Sequence, residues 1–98
     1  MPAYVIADIE VLDPVAYEEY KRLAGPTPAQ FGGRYIVRGA PVQVVEGTWS
    51  PKRLVILEFP SLEHAKAWYE SEAYGQAKAI RHQAARSHLI FVEGVPPA

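Results

Sequence analysis

The chain of 98 residues has no cysteine. That excludes a disulfide frame, a thiol nucleophile and a thiolate metal site, and it fits a reducing compartment, the cytoplasm. Neither sign of charge dominates: 10 Lys and Arg stand against 11 Asp and Glu, for a net charge of -1. Nucleic-acid binding calls for a basic face, so no nucleic-acid partner is expected. No apolar run approaches the ~18 residues that span a membrane. The opening "MPAYVIADIEVLDP" carries Asp8 and Glu10 within its apolar part and has no basic start, so it does not read as a signal peptide. Histidine is scarce. His64, His82 and His88 share no metal-binding spacing of the H-E-x-x-H kind. The chain has no G-x-S-x-G, P-loop or G-x-G-x-x-G; its "GGR" lacks the Lys-Ser/Thr of a phosphate loop and precedes a strand. No metal, haem or other cofactor is expected.

What is present suits one domain over residues 1–98: 49% hydrophobic and 21% charged residues are the mix of an ordinary globular protein. "AYVIADIEV", Ala3 to Val11, reads as a strand. "DPVAYEEYKRLAG" reads as a helix, with Asp13 as cap and Pro14 at the first turn; Tyr17, Tyr20 and Ala24 fall on one stripe. Gly25, Pro26 and Pro28 interrupt it, before a short tail to about Phe31. Arg34 to Arg38 and Val42 to Glu46 are strand-like, and Lys52 to Phe59 is the most apolar strand. Ser61 caps a helix with Leu62, Ala65, Trp68 and Tyr69 on its stripe. Ser71 starts another, running to about Ala85, with Ala73, Ala77, Ile80 and Ala84 on its stripe. Ser87 to Gly94 is the last strand, and "VPPA" is a frayed or docking tail. The order β-α-β-β-β-α-α-β predicts an α+β fold: a ferredoxin-like βαβ-βαβ sandwich with helices on one face of an antiparallel sheet.

Such a sheet should alternate apolar and polar residues. Two strands do not. Val55, Leu57 and Phe59 point one way, Leu54 and Ile56 the other; in the first strand Tyr4 and Ile6 oppose Val5, Ala7 and Ile9. Both faces call for burial while helices cover one, so the second is expected to meet another copy in a homodimer. Burying ~600 Å² of apolar area there gives a gross ~15 kcal/mol before association costs.

The candidate chemistry sits among strand charges and helix aromatics. Arg34, Ile36 and Arg38 are expected on one strand face, and Arg53 and Glu58 on opposite faces of the apolar strand. Glu58 should have an arginine partner. An interior ion pair explains these charges as readily as a site does. Tyr17, Tyr20, Trp68, Tyr69 and Tyr74 bring polar tips to helices over one sheet, and each fits core packing as well as a pocket wall. Trp68, three residues on from Ala65, is the better core candidate; Tyr69 is expected to send its hydroxyl to a polar partner at the pocket rim.

The runs "DPVAYEEY", "GGRYIVRG", "VVEG", "PKRLVILEFPS", "AKAWYES", "YGQAKAIR" and "VEG" resemble, in order and over nearly the whole chain, the family known as domain of unknown function 1330. The resemblance implies pairing into a dimeric α/β barrel and no established reaction. The wider superfamily includes cofactor-free oxygenases, haem-degrading enzymes, lactone isomerases and binding or structural proteins, and fold does not choose among them. The haem-degrading type needs an axial histidine on the later helix, where only His82 is near. The expected site comprises Tyr17, Tyr20, Arg34, Arg38, Glu58, Trp68, Tyr69 and Arg81, around a small anionic or aromatic metabolite. Arg34, Arg38 or Arg81 would hold the negative group, and Glu58 or a tyrosine would move protons. A non-catalytic binding, structural or stress-related homodimer uses the same residues. "GPTP" departs from the longer first helix of the family and bears on the pocket edge near Phe31.

Overall fold

The computed structural model describes residues 1–96. The chain runs β1 (Ala3–Val11), α1 (Pro14–Ala24), a 3-10 turn (Pro28–Phe31), β2 (Arg34–Arg38), β3 (Leu54–Phe59), α2 (Leu62–Glu70), α3 (Glu72–Ala84) and β4 (Ala85–Glu93). Each helix starts at an oxygen-bearing side chain. Asp13 accepts from the Ala16 amide at 3.1 Å, Ser61 from that of His64 at 3.2 Å, and Ser71 from that of Tyr74 at 3.1 Å. Ser71 also donates to the Trp68 carbonyl at 2.7 Å, so one extended residue closes α2 and opens α3. The last two residues of the "VPPA" tail lie outside the described residues.

The four strands form an antiparallel sheet in the order β2-β3-β1-β4. Facing pairs share a face of the sheet, so the register assigns the two sides. Val5 lies opposite Leu57 and Phe91, and Ala7 opposite Val55 and Leu89; these point at the helices. Tyr4, Ile6 and Asp8, opposite Glu58, Ile56 and Leu54, point away. Helices cover the inner face alone, and the fold is only 16 Å in its thinnest dimension, two layers. The inner core centres on Val5, Leu57, Phe59, Ala65, Trp68 and Tyr74. The outer face keeps Ile90 at 57% and Val92 at 44% exposure, beside half-buried Ile6, Leu54 and Ile56.

Three local expectations are corrected. Val42 to Glu46 is not a strand, because among the described residues no neighbouring strand offers it a ladder and an unpaired strand has little to hold it. Ile36 sits in a β-bulge, so Arg34 lies opposite Glu58 on the outer face while Arg38 lies opposite Val55 on the inner. The buried stripe of α3 keeps Ala77 and Ala84 as expected, but Tyr74 and Arg81 take the places of Ala73 and Ile80. The stripe shifts by one residue at those two positions because burying the large Tyr74 ring removes more apolar surface than burying Ala73.

The "GPTP" segment has a structural task. Thr27, 3% exposed, donates to the Ala24 carbonyl at 2.7 Å and accepts from the Trp68 indole N–H at 2.9 Å. It satisfies the end of α1 and the one polar atom of a buried tryptophan together.

Candidate functional site

Between the inner face and α1, α2 and α3 lies a cleft enveloping about 520 Å³ with its open mouth. Small side chains leave the space: Ala7 on β1 and Ala24 on α1 line it where larger residues would fill it. Tyr17 and Tyr20 enter from α1, Tyr74 and Arg81 from α3, Trp68 from α2, Tyr35 and Arg38 from β2, and Arg53 just before β3. Tyr74, Ala77 and Arg81 fall at i, i+3 and i+7, which puts them on one side of α3.

The aromatics form a continuous wall. Ring centroids are 5.1 Å apart for Tyr17 and Tyr20, 6.3 Å for Tyr20 and Tyr74, and 4.2 Å for Trp68 and Tyr74. Each arginine at the cleft works with a tyrosine. The Arg81 Nε donates to the Tyr74 hydroxyl at 3.3 Å, and that hydroxyl is 2.8 Å from the Tyr20 hydroxyl. The Arg53 Nε donates to the Tyr17 hydroxyl at 3.2 Å. The Arg38 guanidinium lies 4.0 Å over the Tyr35 ring.

The charge of the lining is one-sided. It holds Lys21, Arg38, Arg53 and Arg81 and no Asp or Glu. Lys21 pairs with Glu18 at 2.9 Å. Among the described residues, Arg38, Arg53 and Arg81 form no salt bridge with any carboxylate. Arg81 is 3% exposed. Next to it, partial desolvation, and then the Arg81 and Lys78 cations, hold the His82 pKa below its ordinary value. Burial, reinforced by Tyr74, pushes the Tyr20 hydroxyl far above the usual tyrosine range; burial likewise raises Tyr35. Both stay protonated at ordinary pH.

Of the residues expected at the site, the cleft brings together Tyr17, Tyr20, Arg38, Trp68 and Arg81. Arg34, Glu58 and Tyr69 are not in its lining. Arg34 and Glu58 meet on the outer face at 2.9 Å, where Glu58 also accepts from the Tyr4 hydroxyl at 3.1 Å. The Arg34 hydrogen bond first, and then that of Tyr4, hold the Glu58 carboxyl below the usual carboxylate range. Tyr69 packs edge-on against Phe91, with the Lys78 ammonium 4.1 Å from its ring centre. Its hydroxyl makes no hydrogen bond among the described residues, so the expected rim contact is absent. Trp68 takes both parts, buried at 3% exposure and lining the cleft.

Tyr35, Arg53 and Lys21 were missed as site residues. Alternation set Arg53 on the face opposite Glu58 and Tyr35 on the face opposite Arg34, so it groups these residues by face, while which face meets the helices is a property of the fold. For metal, no group of three His, Asp or Glu converges among the described residues. His82 is exposed and outside the lining.

Residues 2–95 match the family described as Domain of unknown function (DUF1330), and the chain belongs to it. Among solved structures, a protein of unknown function from Rhodopseudomonas palustris is similar, with TM-score 0.76 and 24% identity over 98% of this chain and 84% of that one. A dimeric ferredoxin-like protein of unknown function from Jannaschia sp. CCS1 follows at TM-score 0.70 and 15% identity, covering 96% and 100% of the two chains. SnoaB, a cofactor-independent oxygenase from Streptomyces nogalater, shares the fold at TM-score 0.62 and 7% identity, covering 98% and 95%. No curated protein sequence matches. The likenesses establish a ferredoxin-like α+β fold. Among the described residues no helix is long and apolar enough to cross a membrane.

Proposed function

We propose that the chain binds a small metabolite with an anionic group and a flat apolar body in the cleft between sheet and helices, as a cytoplasmic homodimer. The observation that carries this reading is Arg81, a guanidinium 3% exposed at a cleft whose lining has no carboxylate. A buried cation is costly unless an anion answers it, and here the ligand supplies the anion. Arg38 and Arg53 add to the attraction at the same cleft. The tyrosine and tryptophan wall suits a planar body. Titrating benzoate against benzamide, equal in shape and different in charge, tests this. Benzoate should raise the melting temperature of the protein and benzamide should not. Equal responses, or none to any carboxylate retained through purification and seen by native mass spectrometry, would sink it.

One observation favours a catalytic use of the same site. The Tyr20, Tyr74 and Arg81 groups form a chain of hydroxyls ending in a cation, and a chain of this kind stabilises negative charge and passes a proton without metal or haem. SnoaB shows that the fold is used for chemistry of a cofactor-independent kind in another protein. Tyr74→Phe should then stop turnover of the bound metabolite while binding persists; unchanged turnover excludes that role.

The dimer rests on the outer face. Ile6, Leu54, Ile56, Ile90 and Val92 form one apolar surface, and the Jannaschia relative with this fold is dimeric. Ile56→Glu should yield a monomer or an unfolded chain by light scattering. A monomeric parent protein at micromolar concentration refutes the dimer.

A further inference from the structure

Between β2 and β3 the chain leaves the body of the fold as an arm. It departs at Gly39, in the left-handed region at φ 81, and every residue from Pro41 to Ser50 is exposed. The arm is not polar. Val42, Val44, Val45 and Trp49 are 41%, 47%, 91% and 64% exposed. "VQVVE", Val42 to Glu46, has the β-branched composition of a strand and lies between Gly39 and Gly47. Yet among the described residues none of its backbone N–H groups donates to another backbone group. A strand-forming segment with exposed valines and idle backbone donors is unfinished within one chain.

Where the arm points is fixed at its root. The Trp49 indole N–H donates to the Asp8 carboxylate at 2.9 Å, and the Lys52 amide donates to the same carboxylate at 3.1 Å. Asp8 lies on the outer face, so the arm is anchored on the side assigned above to the second copy. The two free sheet edges differ. β2 is five residues long and bulged, which blunts it for pairing. β4 is nine residues long, unbroken against β1, and carries the exposed Ile90 and Val92. A long, unbroken edge is the one that requires a cover.

We propose that Val42–Glu46 of each copy adds as a strand to the free edge of β4 in the other copy. The inference rests on the homodimer proposed above and names the segment that locks it. Two-fold symmetry makes the exchange reciprocal, so each sheet gains one strand from its partner. Val42 and Val44 fall on one side of the added strand, next to Ile90 and Val92, with Gln43 and Val45 on the other.

Hydrogen exchange read by mass spectrometry on the full-length protein, alongside light scattering, tests it. In the parent dimer, Val42–Glu46 should exchange at least about tenfold slower than a free chain, as for paired strand amides. Val44→Pro changes an exposed residue that belongs to neither core cluster and removes an N–H from the arm. It should release that protection, speed exchange in Ala85–Glu93, and weaken dimerisation by about tenfold or more. A parent dimer whose Val42–Glu46 exchanges at the free-chain rate overturns the arm and leaves the dimer standing. Protection of the arm with β4 unchanged in Val44→Pro overturns the assignment to β4. A monomeric parent overturns the dimer and the arm with it.

Discussion

Replacing Arg81 with methionine separates a binding role from a structural one, because the two predict different changes. The side chain is 3% exposed, makes one hydrogen bond, to Tyr74 at 3.3 Å, and has no salt-bridge partner among the described residues. Losing that hydrogen bond removes ~1.5–3 kcal/mol, since the donor is charged. Replacing buried charged groups by apolar chains of similar volume returns ~1–4 kcal/mol where this has been done for ion pairs, and a gain of that order is taken for Arg81, which no carboxylate answers among the described residues. The two ranges overlap and the net is centred near zero, so Arg81→Met without ligand should melt close to the parent. For a chain of this size each kcal/mol moves the midpoint by ~4–8 °C, so even a small net change is visible. Added benzoate gives the second half of the measurement. At roughly 100 times its Kd a ligand stabilises the parent by ~2.7 kcal/mol, and the variant should lose that response. The reasoning is refuted if Arg81→Met melts ~10 °C below the parent while benzoate leaves both midpoints unchanged. Arg81 would then be a strut of the core.

Other positions give independent checks. Trp68→Ala should lower stability by ~3–5 kcal/mol and abolish the fold at moderate temperature, whereas Tyr69→Phe, whose hydroxyl has no partner among the described residues, should melt and bind like the parent; a large effect of Tyr69→Phe contradicts the structure. Gly39→Ala places a Cβ against the Arg53 guanidinium at a positive φ. It should cost ~1–2 kcal/mol and weaken benzoate binding by displacing Arg53, with calorimetric titration as the check; unchanged affinity removes Arg53 from the site. The Glu58 carboxyl should titrate by NMR below the ordinary ~4.3. Its contribution to stability is present above the unfolded-state value and is lost as pH falls through the lowered one. Arg34→Gln should move the Glu58 midpoint upward, and an unmoved midpoint shows that the ion pair does not form in solution.

Much of the fold was legible because its causes are local. Asp13, Ser61 and Ser71 were readable as caps since each acts on an amide three residues away. The limits of β1 and β2 followed from β-branched runs bounded by turn residues, and the two-faced pattern of β3 marked an outer surface that the helices leave open. Alternation alone set Arg53 and Glu58 on opposite faces, but not which of them meets the helices. The tyrosine stripe on α1 was likewise carried by its spacing. What the sequence could not decide depends on partners far along the chain. The bulge at Ile36 exists only in the register of β2 against β3, and it alone separates Arg38, at the cleft, from Arg34, on the outer face. The rotation of α3 that buries Tyr74 and Arg81 was settled by the shape of the space above the sheet, where an aromatic ring fits and Ala73 would leave a void. Thr27 meets Trp68 across 41 residues, a pairing no short pattern encodes. The segment Val42–Glu46 has strand chemistry in its sequence, yet a strand is a relation between two backbones, and within one chain the second is missing.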